Sequence, residues 1–428
     1  MTPLAAHAAI RFGLGARPEA PVPADPSAWL ASQVAPLPEL PGPGLGDIQA
    51  ALRAQRRDIR HPGVGDIFRA EAAAWAARMI TTRIPFAERW ANFWTNHLTV
   101  SRRAFQTTAW LGHYQRAAIR PKCFGRFEDL LLAAYRHPAM LGYFDQNNST
   151  GPTSAIGRRG RGLNENLARE CLELHTVTTA ARYSQQDVAS LARILTGWSS
   201  GRGEQFSEAD GFLFRADTHE PGTKRLLGRE FPPGEEGGAE ALRFLANHPA
   251  TYRALAAKLA RHFIADAPSR ASLGWIEGAF RDSRGDLAAV ARAILAEPEA
   301  RVPLRKLRSG EDYAIAMLRA LGLGTEGAPA LLAVLTRLNQ SLWNAPAPDG
   351  WSDAATEWAA PEQLMRRLDW ASELAGRAAA GGGTDPETLA QTVLGPLART
   401  ETLAAMRRTG SARDAMIVLL ASPEAQRR

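Results

Sequence analysis

The sequence predicts an all-α fold, a multi-helix bundle with a short β-hairpin or extended flap near residues 211–228. Three observations lead there. Apolar residues recur at three- and four-residue spacing through eleven segments, apolar–polar alternation is rare, and no internal repeat organises the 428 residues. An apolar content of 45% with 7% aromatics is that of a chain that buries a sizeable core.

Taken in order, the periodicity predicts helices over 66–81, 85–98, 127–135, 165–177, 185–198, 239–245, 251–265, 286–295, 311–321, 361–375 and 412–420. His137-Pro138 and His248-Pro249 mark helix starts, because proline presets the first-turn φ and has no N–H to lose there. Ser184-Gln-Gln-Asp187 is a capping box, which gives Asp187 a structural role. The strand signal is confined to 212–214 and 225–227, which flank His219-Glu-Pro-Gly222 and read as a small hairpin or extended flap. Linkers rich in Pro and Gly at 36–46, 149–163 and 378–386 are too short to force a domain split. A single helical domain over 1–428 is expected, with an N-terminal arm to 46, a core over 47–200, the flap over 201–235 and C-terminal helices from 236.

The 51 basic and 44 acidic residues give a net charge of +7, yet only Lys122, Lys224, Lys258 and Lys306 are lysines. An excess of Arg, Ala, Gly and Pro is what a GC-rich genome produces unselected. The basic residues are scattered among acids and form no stripe, so no nucleic-acid partner is expected. Cys123 and Cys171 have neither metal-ligand nor redox spacing and read as buried apolar groups. No apolar run reaches membrane-span or signal-peptide length, which predicts no membrane insertion and a cytoplasmic chain as written, or a periplasmic or exported one if its start is misassigned.

The densest chemistry lies at Asn164-Glu-Asn-Leu-Ala-Arg-Glu-Cys-Leu-Glu-Leu-His175. At 100° per residue, Asn166, Arg169, Glu170 and Glu173 share one arc with Glu165 at its edge, while His175 falls on the apolar arc. Two readings stay open. In one, Glu165, Arg169 and Glu173 form a solvent-facing i,i+4 ladder and His175 is a hydrogen-bonded core residue. In the other, Glu170 and Glu173 point into a cleft as metal ligands or an acid–base pair, with Arg169 and Asn166 orienting substrate.

Glu-x-x-His is absent, so a metal would need ligands from elsewhere, and His97 at the end of the Trp90–His97 aromatic stripe is the candidate. Asp145, at a helix exit, is either a turn former or a site acid. Arg158, Arg159 and Arg161 on a glycine-rich loop form an anion cradle in the functional reading, joined by His219 of the flap.

Several motifs resemble, in order and over nearly the whole chain, the domain-of-unknown-function family 1800. They include Arg11-Phe-Gly-Leu-Gly-Ala16, Phe93-Trp-Thr-Asn-His97, the 162–176 segment, Tyr183-Ser-Gln-Gln-Asp-Val188, Leu195-Thr-Gly-Trp198, His219-Glu-Pro-Gly222, His248-Pro-Ala-Thr251 and Lys258-Leu-Ala-Arg-His-Phe263. The resemblance implies a bacterial, helical protein, often encoded beside the alkaline-phosphatase-like or sulfatase-like family 1501 and often exported. It carries no established activity. Thr176-Val-Thr-Thr-Ala180 replaces a Thr-Leu-Gly-Val-containing stretch, so the turn after the signature helix is expected to differ in shape.

Two functions follow from these readings. One is an enzyme whose carboxylate/histidine metal or acid–base centre, with a divalent metal as the open cofactor, acts on an anionic or polyhydroxylated substrate. The other is a non-catalytic helical partner or assembly factor of a family 1501 phosphatase/sulfatase-like protein.

Overall fold

The structure, a computed structural model, describes every residue except 104, 161, 202–210 and 382–383. All eleven expected helical segments are helical, among them Gly63–Thr81, Pro85–His97, Gln185–Leu195, Pro249–Phe263 and Gly310–Ala320. Helices that the periodicity did not single out include Leu45–Arg57, Arg270–Ser283 and Ala328–Arg337. Arg270–Ser283 carries two interior glycines and leaves Trp275 half exposed, which blurs its apolar stripe.

The starts are capped as the sequence indicates. Ser184 and Asp187 form both halves of a capping box, and the Nδ1 atoms of His137 and His248 accept the N–H groups of Ala139 and Ala250, both at 3.1 Å. Histidine thus does the work usually given to Ser or Asp at the N-cap.

Two apolar cores organise the bundle. The first runs from Ala8 to Ala300 and centres on the aromatic face of Pro85–His97, where Phe86, Trp90, Phe93 and Trp94 pack with Phe127 and Phe263. Each such ring contributes about 1.5–3 kcal/mol when buried. The second joins helices between Tyr313 and Ala425 to one end of Gly63–Thr81. That helix serves both: Val64 and Ile67 enter the first core, and Trp75, Ala76, Met79 and Ile80 the second. A helix apolar around much of its circumference has to be covered on several sides, which places it in the seam.

The Arg11–Ala16 motif closes the seam. Gly13 and Gly15 lie where a side chain would not fit, a Cβ on Gly13 falling 2.7 Å from the Ala9 carbonyl and one on Gly15 3.0 Å from Ala316. Arg89 donates to the Gly13 carbonyl at 2.8 Å, Arg319 to that of Gly15 at 3.1 Å, and Arg11 to those of Ile264 and Arg428 at 2.6 and 3.1 Å. Several arginines of the basic excess are therefore buried as clamps on backbone carbonyls.

The expected strands exist, each paired with a neighbouring strand that the sequence did not single out. Phe212–Phe214 pairs antiparallel with Trp198–Ser200, and Lys224–Leu226 with Arg229–Phe231, so the two apolar stretches belong to separate two-stranded sheets. Part of the expected flap, 202–210, lies outside the described residues. Gly197, at φ 87°, ends the preceding helix early and turns Trp198 into a strand, a partner that helical periodicity had assigned to 185–198. Among the described residues no helix is long and apolar enough to cross a membrane.

Candidate functional site

The signature segment begins as the α-helix Asn166–Glu170 and widens into a π-helix over Cys171–His175. Arg169 ion-pairs with Glu165 at 3.1 Å and Glu173 at 3.6 Å and also donates to Gln185, which is the i,i+4 ladder. Asn166 is exposed. Burial, then the Glu173 and Asp349 carboxylates, push the Glu170 carboxyl above its usual range.

His175 is fully buried, bonds the Tyr135 hydroxyl through Nδ1 at 2.7 Å, and is driven by burial to about 3. It is a core histidine. The wide turn leaves carbonyls free at its end, and Lys258 Nζ donates to that of Leu174 at 2.9 Å while His97 Nε2 donates to that of His175 at 3.2 Å. His97 Nδ1 then accepts from Lys258 at 3.3 Å, so both ring nitrogens are occupied. Burial, followed by Lys258 and His175, holds His97 well below its ordinary pKa.

The other sequence candidates lie apart from this contact. Asp145 is exposed in a left-handed turn position at φ 55°. Arg158 and Arg159 are exposed on a 3-10 turn, and Arg161 lies outside the described residues. His219 donates from Nδ1 to the Thr196 carbonyl at 2.6 Å and accepts at Nε2 from Gly234 N at 2.8 Å, which commits its ring to the fold. Among the described residues no group of three or more His, Cys, Asp and Glu side chains is arranged to hold a metal ion, and the structure does not bring His97, Glu170 and Glu173 into such a group.

A different set of groups converges on a cavity of about 110 Å³ in the seam between the cores. The helix Gly310–Ala320 presents two carboxyls in its first turn, where the unpaired N–H groups favour them, and Ser309 caps it by accepting from Asp312 N at 3.1 Å. Asp312 binds Arg89 at 2.6 Å and Arg428 at 3.0 Å. Burial works against its ionisation, but those two guanidinium groups hold it far below the usual carboxylate range.

Glu311, beside it, makes no hydrogen bond or ion pair through its carboxyl among the described residues. Burial first, then the Asp312 charge, push it up to about 7. Across the cavity, His262 Nδ1 bonds Asp353 at 2.7 Å and its Nε2 is buried without a partner. Burial lowers the His262 pKa against the pull of Asp353.

A loop over 341–353 forms one wall and is strapped to the end of Pro85–His97. Asn96 donates to the Trp351 carbonyl at 2.9 Å and accepts its N–H at 2.7 Å, much as a strand partner would. Gly350, at φ 83°, is required there, since a Cβ would fall 2.5 Å from the Asn96 carbonyl. Lys258 lies one turn before His262, and burial lowers it to about 8 while Asp349 and Asp353 raise it. The family motif Lys258–Phe263 therefore links the signature helix to the cavity.

Sequence reasoning missed Glu311, Asp312, His262, Asp353, Arg89 and Arg428. Signals existed for two of them: Arg89 is a charge inside an aromatic helix, and Asp349-Gly-Trp-Ser-Asp353 packs two carboxylates and a tryptophan into a non-periodic loop.

No curated protein and no solved structure matches the chain. The family model described as Protein of unknown function (DUF1800) matches residues 7–427, so the chain belongs to that family across nearly its whole length.

Proposed function

We propose that this chain is an enzyme whose acid–base centre lies in the seam cavity, with Glu311 as proton donor, His262 oriented by Asp353 as proton acceptor, and an anionic or polyhydroxylated small molecule as substrate. One observation carries the reading: a carboxyl without a partner and an imidazole whose only bonded nitrogen is spent on a carboxylate line the same cavity. Acid–base catalysis needs two groups held in opposite protonation states at one pH. The two arginines hold Asp312 far below the usual carboxylate range, burial and then the Asp312 charge push Glu311 up to about 7, and burial lowers His262, whose Nε2 has no partner.

In a hydrolytic cycle Glu311 would protonate the leaving-group oxygen and His262 Nε2 would take a proton from the attacking water. Of the residues singled out in the signature segment and its surroundings, Glu170 is coupled to Asp349 of the cavity loop, while Glu173, Asn166, Arg169 and Asp145 do not line the cavity and have no part in this proposal.

Chromogenic glycosides, phosphates, sulfates and carboxylic esters offered to the wild type, Glu311→Gln and His262→Ala test this. The expected result is turnover of one class by the wild type and a loss of about a hundredfold or more in both variants, with circular dichroism unchanged. Wild-type rates in both variants, or no turnover of any class, would favour the non-catalytic partner of a family 1501-like protein.

A further inference from the structure

We infer that the seam cavity takes an uncharged polyhydroxylated ring, one sugar unit, and discriminates against anions. The inference rests on the reading of this cavity as the substrate site. Its first support is charge. Arg89 and Arg428 both spend their charge on Asp312, no lysine lines the cavity, and His262 is committed to Asp353. The Asp312 and Asp353 carboxylates offset the two guanidinium groups, so an anion would find no net positive charge in the cavity and would be repelled by both carboxylates.

The second support is the pattern of unused polar groups. Gln340 is 5% exposed, and its Oε1 accepts the Glu311 N–H at 2.8 Å, which leaves the amide NH2 open. Gln115 is 1% exposed and has the reverse arrangement: its NH2 donates to Asn92 Oδ1 at 3.2 Å and Thr95 Oγ1 at 3.4 Å, leaving Oε1 as an open acceptor. Both residues line the cavity, and neither open atom is sealed off from every polar partner and from solvent. Trp343 and Trp351 also line the cavity, and neither indole N–H makes a hydrogen bond among the described residues.

Ring hydroxyls both donate and accept, and they match a wall that offers both. The third support is shape and surface. Trp75, Phe93, Trp343, Trp351 and Trp358 give the cavity apolar faces for the C–H faces of a sugar. Its volume of about 110 Å³ has room for roughly ten waters, which is enough to admit one ring.

The test is intrinsic tryptophan fluorescence of the full chain, titrated with methyl α-glucoside, methyl β-galactoside and maltose, and in parallel with glucose 6-phosphate and glucuronate. The inference predicts a saturable change with at least one neutral sugar, at least tenfold weaker binding of both anions, and at least tenfold weaker neutral-sugar binding in both Gln340→Ala and Gln115→Ala. Those two variants remove no fluorophore and no charge, and the second guards against local misfolding in the first.

Saturable binding of the anions alone would overturn the inference and leave the acid–base reading standing. No saturable response to any of the five would also overturn it. Neutral-sugar binding that is equal in the wild type and Glu311→Gln, with no turnover in the chromogenic assay, would support the inference while defeating the enzymatic reading.

Discussion

Asp312 is the electrostatic anchor of the seam, because two buried guanidinium groups form ion pairs with it and with no other carboxylate among the described residues. Arg89 and Arg428 approach it to 2.6 and 3.0 Å, and removing it strands both charges in an apolar setting. Asp312→Asn is therefore expected to lower stability by about 3–5 kcal/mol at neutral pH in urea unfolding; a change below about 1 kcal/mol would show that the arginines find other partners. The sign with pH follows from the depressed pKa. The stability that Asp312 contributes is present above its unfolded pKa and is lost as pH falls towards its folded value, a loss the Asn variant would not show. Little of this was legible beforehand. A one-turn arc placed His175 in the core correctly, because its neighbours in sequence settle that question. The partner of Arg89 is supplied by a helix more than two hundred residues away, and no local spacing records it.

The end of the π-turn at Cys171–His175 is held by side chains from other helices. Lys258 and His97 collect the carbonyls that the wide turn releases. Lys258→Met keeps the length of the side chain and removes the donor, so amide hydrogen exchange over 171–177 is expected to speed up about tenfold or more, with the aromatic core around Trp90 unchanged. Equal exchange in the two proteins would mean that the turn is stable without Lys258. Periodicity could locate this helix because its apolar positions still recur, but a single widened turn leaves no mark in a 3.6-residue count. The small sheets teach the same lesson. Both apolar stretches of the flap were legible as strands from composition. Their partners were not, because Trp198–Ser200 reads as the tail of a helix until Gly197 turns the chain.

The cavity exists because two cores meet along Gly63–Thr81 without filling the space between them. Its walls come from residues as far apart as Leu14 and Arg428, so the all-α class and most helices could be read from the sequence while the site could not. The motifs that mark the family divide accordingly. Arg11–Ala16 closes the seam, and Lys258–Phe263 ties the signature helix to His262. The central claim is that this seam holds a neutral carboxylic acid beside an ionised one. Raised as it is, Glu311 adds most to stability below its unfolded pKa, and that contribution is lost as pH rises through about 7. Infrared difference spectra of the wild type and Glu311→Gln, recorded from pH 5 to 9, measure this directly. The account predicts a protonated-carboxyl band in the wild type that disappears with a midpoint near 7 and is missing from the variant. A carboxylate that is already ionised at pH 5, with identical spectra for the two proteins above it, would contradict the claim.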